Sequence, residues 1–500
     1  MSAAGTMLIR CDADVAIGTG HVMRCLALAQ AWQDAGGYAI FAMAEATPAV
    51  EERLRSEGFE VVRPSVRIGS GADAREFALL ARKHTVSWVV VDGYEFGSEY
   101  QATLKSLGLK LLFIDDNGHA GHYSADFVLN QNAHASEAFY PSRDQSTRLL
   151  LGPRFAMLRR EFTAWRGWKR DIPPVARRIL VTMGGSDPDN VTQRVVEAIS
   201  SEGEFEATVV VGGSNPHLAR LHEFVGVERR PVRLVENATN MPELIASADV
   251  AVAGAGTTSW EMSFLGLPAL LIVLADNQQG IADELGKHQI AGYLGRYSEV
   301  NQITIAAELR NLANSPIRRR IMSDRGRVLV DGYGSLRVVA ALRREALSIR
   351  RVEKGDCKLL WEWANDPVAR GASFSIEDIP WDEHVEWFQG KLNDDNCRIF
   401  VALDASTVPV GQIRFDKHGA DDADIDIIVD SRFRGLGYAS RLIDLGTSWA
   451  FTEWGLKQLN AFIKHENVAS AKAFERAGFE NVENMTIKGQ SAIRYVRMAK

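Results

Sequence analysis

Gly254-Ala-Gly-Thr-Thr-Ser-Trp-Glu261 follows directly on the apolar run Val250 to Ala253, and its reading decides the fold. An apolar run that hands over through small residues to a helix is a strand-to-helix turn of a parallel sheet. The small residues let the backbone approach a phosphate closely, and the N–H groups opening the next helix point at its charge. Glu261, one turn in, is placed to reach ribose hydroxyls. An ordinary tight turn uses the same glycines, so the flanking text carries the decision. Asn237-Ala-Thr-Asn-Met-Pro-Glu-Leu precedes the loop, and Gly266-Leu-Pro-Ala-Leu-Leu-Ile-Val and Asp276-Asn-Gln-Gln follow it.

Working outward, short β-branched runs alternate with helical stretches at Met7 to Arg10, Trp88 to Asp92, Leu111 to Asp115, Arg178 to Met183, Ala207 to Val211, Val232 to Leu234 and Asp249 to Ala253. That alternation predicts parallel sheets with crossover helices. The strands fall into two sets, separated by Leu151 to Pro174 with its Gly152-Pro153, Trp165, Trp168 and Pro173-Pro174. From about Arg344 the pattern changes to an aromatic-rich helical region (Trp361, Trp363, Trp381, Trp387) and then strands at Arg398 to Leu403, Pro409 to Phe415 and Ala423 to Val429. The expected domains are therefore 1–155, 156–345 and 348–500, in keeping with 500 residues being too many for one core.

A net charge of −7 without a long basic tract leaves no electrostatic footprint for nucleic acid or an anionic membrane. Cys11, Cys25, Cys357 and Cys397 lie far apart in the chain and read as reduced thiols. No apolar run is long enough to span a bilayer, and the N-terminus lacks the form of a signal peptide. The expectation is a cytoplasmic protein with no nucleic-acid or membrane partner, its oligomeric state open.

The second loop that carries chemistry is Ile17-Gly-Thr-Gly-His-Val-Met-Arg24, after the first strand and opening a helix to about Ala35. Glycines before a helix N-terminus make a concave, positively polarised loop, and His21 stands at its mouth. Histidine has the side-chain pKa nearest neutrality and suits proton transfer from water. A helix-start histidine satisfied by backbone is the plainer alternative. Two Asp-x-Asp triplets, Asp12-Ala-Asp14 and Asp187-Pro-Asp189, have a spacing able to hold a divalent cation beside a diphosphate. Both also read as loop or cap residues, and no metal is expected.

The run from Asn237 to Gln279 is similar to the donor-binding half of GT-B-type glycosyltransferases. Arg10-Cys-Asp-Ala-Asp14, Ile17 to Ala29, Val89-Val-Val-Asp-Gly-Tyr94, Ile114-Asp-Asp116, Met183-Gly-Gly-Ser-Asp187 and the Gly254 to Glu261 loop together resemble the UDP-2,4-diacetamido-2,4,6-trideoxy-β-L-altropyranose hydrolases of pseudaminic acid biosynthesis, over roughly residues 7 to 340. The resemblance implies a GT-B-like pair of Rossmann-type domains, with UDP in the second domain and a histidine of the first, here His21, over the anomeric carbon. It places UDP and sugar at Gly18, Gly20, Gly184, Gly185, Ser186, Asn237, Met241, Gly256, Thr257, Thr258, Ser259, Glu261, Asn277 and Gln278. Helix N-termini at Gly184-Gly185-Ser186 and Gly256-Thr257 then stabilise the departing diphosphate. Asp92 and Tyr94, at the end of a parallel strand, orient the sugar or the base, unless Asp92 caps the following turn. A glycosyltransferase would share the UDP half and is the alternative.

The carboxyl-terminal third has its own phosphate motif. Arg432-Phe-Arg-Gly-Leu-Gly-Tyr-Ala439 follows the strand Ile425 to Val429 and opens a helix to about Phe451, and it matches the R-x-x-G-x-G/A loop of the GNAT acetyltransferase superfamily. Asn467-Val-Ala-Ser-Ala-Lys-Ala-Phe-Glu-Arg-Ala-Gly-Phe479 looks like the second GNAT element. Acetyl-CoA as co-substrate is expected at Val429, Arg434, Gly435, Gly437, Tyr438, Ala439, Asn467, Ser470 and Phe474. Asp424 matches the position of the acidic residue that draws a proton from the amine. Phe474 departs from the superfamily: a tyrosine often serves there as general acid, so Tyr438, Tyr495 or an unassisted thiolate remains. Trp361 to Asp366 and Ile376 to Phe388 resemble acetyltransferases acting on the 4-amino group of UDP-4-amino-4,6-dideoxy-β-L-AltNAc and also those that modify ribosomal proteins. The expected whole is a GT-B-like pair followed by a GNAT α/β domain, whose substrates are a UDP-amino sugar and acetyl-CoA. A domain that only binds CoA is the other alternative.

Overall fold

The apolar runs of the amino-terminal region become β1 (Thr6–Arg10), β2 (Tyr38–Ala42), β3 (Glu60–Val62), β4 (Val86–Asp92), β5 (Leu111–Ile114), β6 (Phe127–Asn130) and β7 (Arg148–Leu151). They pair in parallel in the order β3-β2-β1-β4-β5-β6-β7. The structure is a computed structural model and describes residues 5–14, 18–227, 232–343, 347–404 and 407–499. Ile17 of the first glycine loop thus lies outside the described residues. Both faces of the central strands are buried, with Leu8, Val89, Val91 and Phe113 fully enclosed, which is why the strands read as continuous apolar runs rather than alternating ones.

A second parallel sheet has β8 (Arg178–Thr182), β9 (Glu206–Val211), β10 (Val232–Glu236), β11 (Val250–Gly254), β12 (Ala269–Val273) and β13 (Gly292–Arg296) in the order β10-β9-β8-β11-β12-β13. In each sheet the order reverses beside the first strand, at β1/β4 and β8/β11. Open α/β sheets leave a crevice at that point, outside the carboxyl ends of the strands. Residues up to Val339 form one compact unit and the described residues from Ala340 onward another. The interior strands β2 and β6 and the edge strands β3, β7 and β13 are not among the runs read from the sequence. Glu60-Val-Val is only three residues, and Gly292-Tyr-Leu-Gly-Arg is broken by glycine.

The carboxyl-terminal unit is built on a mixed sheet of β14 (Ser348–Arg351), β15 (Cys397–Leu403), β16 (Pro409–Lys417), β17 (Asp422–Val429), β18 (Gln458–Lys464), β19 (Glu480–Ile487) and β20 (Gln490–Met498), ordered β14-β15-β16-β17-β18-β20-β19. Only β17 and β18 run parallel, and they pair solely over Asp422 to Asp424 before parting. Ile425 is enclosed, whereas Ile427 and Val429 are only half-buried where the strands separate. The polar hairpin β19–β20 has no apolar alternation in its first arm, Glu480-Asn-Val-Glu-Asn-Met-Thr-Ile, and is held by its ladder to β18.

Candidate functional site

The carboxyl ends of β1, β4, β8 and β11 converge on one cleft of about 1070 Å³, at the upper end of the range for ligand sites. Residues of both parallel sheets line it. Gly18, Gly20, His21 and Tyr94 come from the first, and Gly184, Gly185, Ser186, Asn237, Met241, Gly256, Thr257, Thr258, Glu261, Asn277 and Gln278 from the second.

His21 and Arg24 lie three residues apart in the helix Gly20–Asp34, hence on one face, and both reach Asp92 at the end of β4. His21 Nδ1 is 2.6 Å from Asp92 Oδ1. Arg24 grips the same carboxylate with two donors, Nε to Oδ2 and Nη2 to Oδ1, each at 2.6 Å. Its Nη1 donates to Asp116 Oδ2 at 2.6 Å. Burial pushes the Asp92 carboxyl up, but the Arg24 guanidinium and His21 outweigh it and hold the group well below the usual carboxylate range. An ionised Asp92 accepts the Nδ1 proton of His21, which fixes the tautomer and leaves Nε2 as the basic nitrogen. Asp92 is therefore a partner of the imidazole and not a cap on the following turn.

Tyr94 stands edge-on to His21 at a centroid distance of 5.1 Å, and its Oη accepts from Asn277 Nδ2 at 3.0 Å across the cleft. Burial, with the Asp116 charge nearby, pushes the phenol up to about 12, so it stays protonated. Gln278 Oε1 accepts from the backbone of Leu274 at 3.0 Å and closes its turn. Glu261 pairs with Arg159 at 2.8 Å, and burial outweighs that partner, leaving its carboxyl above the usual range.

Two expectations are corrected. Gly184-Gly185-Ser186 is not a helix N-terminus: the helix Val191–Glu202 begins five residues further on, where the Asp187 carboxylate accepts from the amides of Val191 and Thr192 at 2.8 and 2.9 Å. Ser259 does not line the cleft. It is 1 % exposed, because the helical step from Thr258 turns its side chain into the core. One carboxylate of each triplet is engaged in the fold. Asp12 pairs with Arg10 and accepts from the amide of Glu45, while Asp187 caps its helix. Among the described residues no three His, Cys, Asp or Glu side chains gather as a metal site would require. Cys11 and Cys25, far apart in the chain, come together in the core, where burial pushes the Cys25 thiol well above its ordinary value.

Gly185 faces Thr19 so closely that a Cβ would overlap the threonine side chain. Gly185→Ala is expected to force the two loops apart and lower the stability by about 1–3 kcal/mol, the usual scale of overpacking. Thr19→Gly in the same chain should restore part of it. Denaturant unfolding of the three variants checks this.

In the carboxyl-terminal unit, Gly435 (φ +73°) and Gly437 (φ +80°) hold the loop before the helix Tyr438–Thr452 in a conformation that disfavours any side chain. Arg434 Nε donates to the Val429 carbonyl at 2.9 Å, tying the loop to the end of β17, while Ala439 in the first turn of the helix is half-buried. Asn467 accepts from the Ser470 amide at 3.1 Å, so this pair caps the helix Val468–Arg476. Phe474, expected against acetyl-CoA, is instead packed in the core, 3 % exposed and edge-to-face with Phe479 at 5.0 Å. Asp424 Oδ2 lies 2.7 Å from His418 Nε2, and that hydrogen bond raises the imidazole above its ordinary value. Tyr438 is buried, its phenol pushed up to about 12, and Tyr495 donates to Glu475 at 3.2 Å. Trp361 donates to the Ile379 carbonyl at 2.8 Å and stacks edge-on against Trp381, packing the aromatic region on itself.

Sequence reading missed Arg24 and Asp116 as site residues, although both stand inside quoted motifs. It also missed Arg159, which has no local signature because its partner Glu261 is distant in the chain.

Comparison with known proteins supports both halves. Residues 178–327 match the glycosyltransferase family 28 C-terminal domain, and residues 346–480 match the acetyltransferase (GNAT) domain. An uncharacterized protein of Methanocaldococcus jannaschii is 23 % identical over 492 residues, covering 94 % of this chain and 96 % of its own. A spore coat polysaccharide biosynthesis protein of Bacillus subtilis is 28 % identical over 240 residues, 47 % of this chain and 68 % of its own. The UDP-2,4-diacetamido-2,4,6-trideoxy-β-L-altropyranose hydrolase of Campylobacter jejuni is 23 % identical over 283 residues, 56 % of this chain and 96 % of its own. The expected join of a region related to that hydrolase with a GNAT domain is met.

Proposed function

We propose that this chain, a glycosyltransferase-28-like sugar-nucleotide region joined to a GNAT acetyltransferase domain, carries out two consecutive steps on one amino-sugar nucleotide. In this reading the domain from about residue 348 acetylates the 4-amino group of UDP-4-amino-4,6-dideoxy-β-L-AltNAc. The two domains before it, divided near residue 155, hydrolyse the resulting UDP-2,4-diacetamido-2,4,6-trideoxy sugar to UDP and free sugar. The support is the likeness to the Campylobacter hydrolase and the GNAT match.

The observation that carries the hydrolytic step is the His21–Asp92–Arg24 array in the same cleft as the loops at Gly184 to Ser186 and Gly256 to Thr258. Nε2 of His21 takes a proton from water as its oxygen attacks C1. The C1–O bond breaks with its electron pair on UDP, and the anomeric centre inverts. A diphosphate is a good leaving group that needs charge stabilisation more than protonation, which the close backbone of both glycine loops is suited to provide. Asp92 steadies the imidazolium that forms, and Tyr94 and Asn277 border the sugar.

The test is to incubate the UDP-sugar with the protein and no acceptor. UDP and free sugar in equal amounts are expected. UDP that appears only when an acceptor sugar is added would replace this reading with a glycosyltransferase.

The carboxyl-terminal residues fit acetyl-CoA. The left-handed loop at Gly435 and Gly437 leaves a cradle for a pyrophosphate, and the parted edges of β17 and β18 offer backbone groups to an extended pantetheine arm. When bound, acetyl-CoA supplies the thioester acyl group. Asp424, hydrogen-bonded to His418, draws the proton from the amine as the amine nitrogen bonds to the acetyl carbonyl carbon. The C–S bond breaks with its electron pair on the CoA sulfur, and Tyr438, the phenol not committed to Glu475, is the candidate to protonate that thiolate. Gly437→Val forces a β-branched residue to φ +80° and fills the cradle. Its expected outcome is acetyl-CoA affinity reduced at least about tenfold with UDP release unchanged, checked by calorimetry and the UDP assay side by side.

A further inference from the structure

The turn after β5 carries two adjacent carboxylates with opposite fates. Asp115 is spent on the fold: it accepts from the amides of Asn117, Gly118 and His119 and from the Tyr123 hydroxyl. Asp116 is not. Its backbone carbonyl accepts from Asn130 and its Oδ2 from Arg24, but Oδ1 is sheltered from water and has no hydrogen-bond partner among the described residues. The residue is 7 % exposed and lines the cleft beside His21 and Tyr94.

A buried carboxylate oxygen without a donor is costly, and such groups are retained where something outside the chain satisfies them. Asp116 lines the cleft, and among the described residues no donor reaches its Oδ1. Its charge excludes the diphosphate as partner, because an anion here would face like charge at short range. It sits instead beside the His21 imidazole, where the sugar lies in the reading above. We infer that Asp116 determines specificity at this site by accepting a hydrogen bond, through a small rotation of its carboxylate, from a hydroxyl or amide N–H on the sugar of the bound nucleotide. This rests on the sugar-nucleotide reading of the cleft. Arg24 sets the polarity of the contact: it holds one oxygen, so the other is presented as an acceptor only.

Asp116→Asn tests the assignment. Arg24 donates from Nη1 and keeps the amide oxygen, so the amide NH₂ is turned toward the sugar and donor meets donor. With UDP-2,4-diacetamido-2,4,6-trideoxy-β-L-altrose, kcat/KM for UDP release is expected to fall about 100-fold or more, because sites built around a substrate donor discriminate steeply. The dissociation constant for UDP alone, read by calorimetry, should stay within about twofold, since the uridine and diphosphate contacts lie elsewhere. Analogues in which a single hydroxyl or acetamido N–H is methylated locate the donor: one of them should be turned over no worse by the Asp116→Asn variant than by the wild type. Equal turnover of the parent sugar nucleotide by both proteins overturns the inference. So does a loss of UDP affinity in proportion to turnover, which marks a purely structural role. Absence of UDP release from the wild-type protein removes the hydrolase reading itself, and the wild-type control makes that outcome recognisable.

Discussion

His21→Ala is expected to slow UDP release by about 10²–10⁴-fold while leaving the dissociation constant for UDP within about twofold, because a positioned base contributes on that scale to rate and nothing to diphosphate contact. The split follows from the geometry. His21 is fastened from behind, by Asp92 at 2.6 Å, and only its other nitrogen remains for water. The loops proposed for the diphosphate, at Gly184 and Gly256, belong to the other sheet. Single-turnover kinetics with the UDP-sugar, paired with calorimetry of UDP alone, separates the two effects. A fall in both together would mean that the imidazole shapes the nucleotide pocket rather than activating water. The variant His21→Gln, which keeps a polar group but no base, should be as slow as His21→Ala.

The second large effect concerns stability. Arg24→Met removes the cation shared by Asp92 and Asp116, leaving Asp116 without its ion pair and Asp92 with only His21 and the Cys25 thiol. Removing one partner from a buried ion pair typically costs about 3–5 kcal/mol, far more than a surface salt bridge contributes. The midpoint of denaturant unfolding should drop accordingly, and Asp116→Asn in the Arg24→Met background should recover part of the loss. The pH dependence has a definite sign. Because the folded Asp92 carboxyl is held below its ordinary value, its contribution is fully present above about pH 4 and is lost as the pH falls through the folded value. Without Arg24 the Asp92 carboxyl ionises less readily, so the variant should lose less stability than the wild type on acidification. Unfolding curves from neutral pH to about pH 3 read this directly.

The paired parallel sheets were legible because buried central strands are unbroken apolar runs, and Val89 to Val91 or Val250 to Ala253 admit few other readings. The glycine loops were legible as strand-end turns because each follows its parallel strand directly in the sequence. What local order cannot express is who meets whom. Arg24 reads as one more charged residue in a helix until the chain returns at Asp92 and Asp116, and Arg159 sits in an irregular connection whose partner is Glu261. The helix after Gly184 begins only at Val191, with the Asp187 carboxylate on its first amides, so the small residues there mark the end of β8 and not a helix start. Phe474 was assigned by its place in a motif, but its neighbour Phe479 draws it into the core.

The fit between Thr19 and Gly185 binds the histories of two loops that belong to different sheets. Enlargement of one is tolerable only after the other has shrunk, so mutational drift at either position is conditional on its counterpart. Descendants of this chain inherit the two loops as one heritable unit, and a recombinant that takes one sheet from a distant cousin brings with it half of a lock.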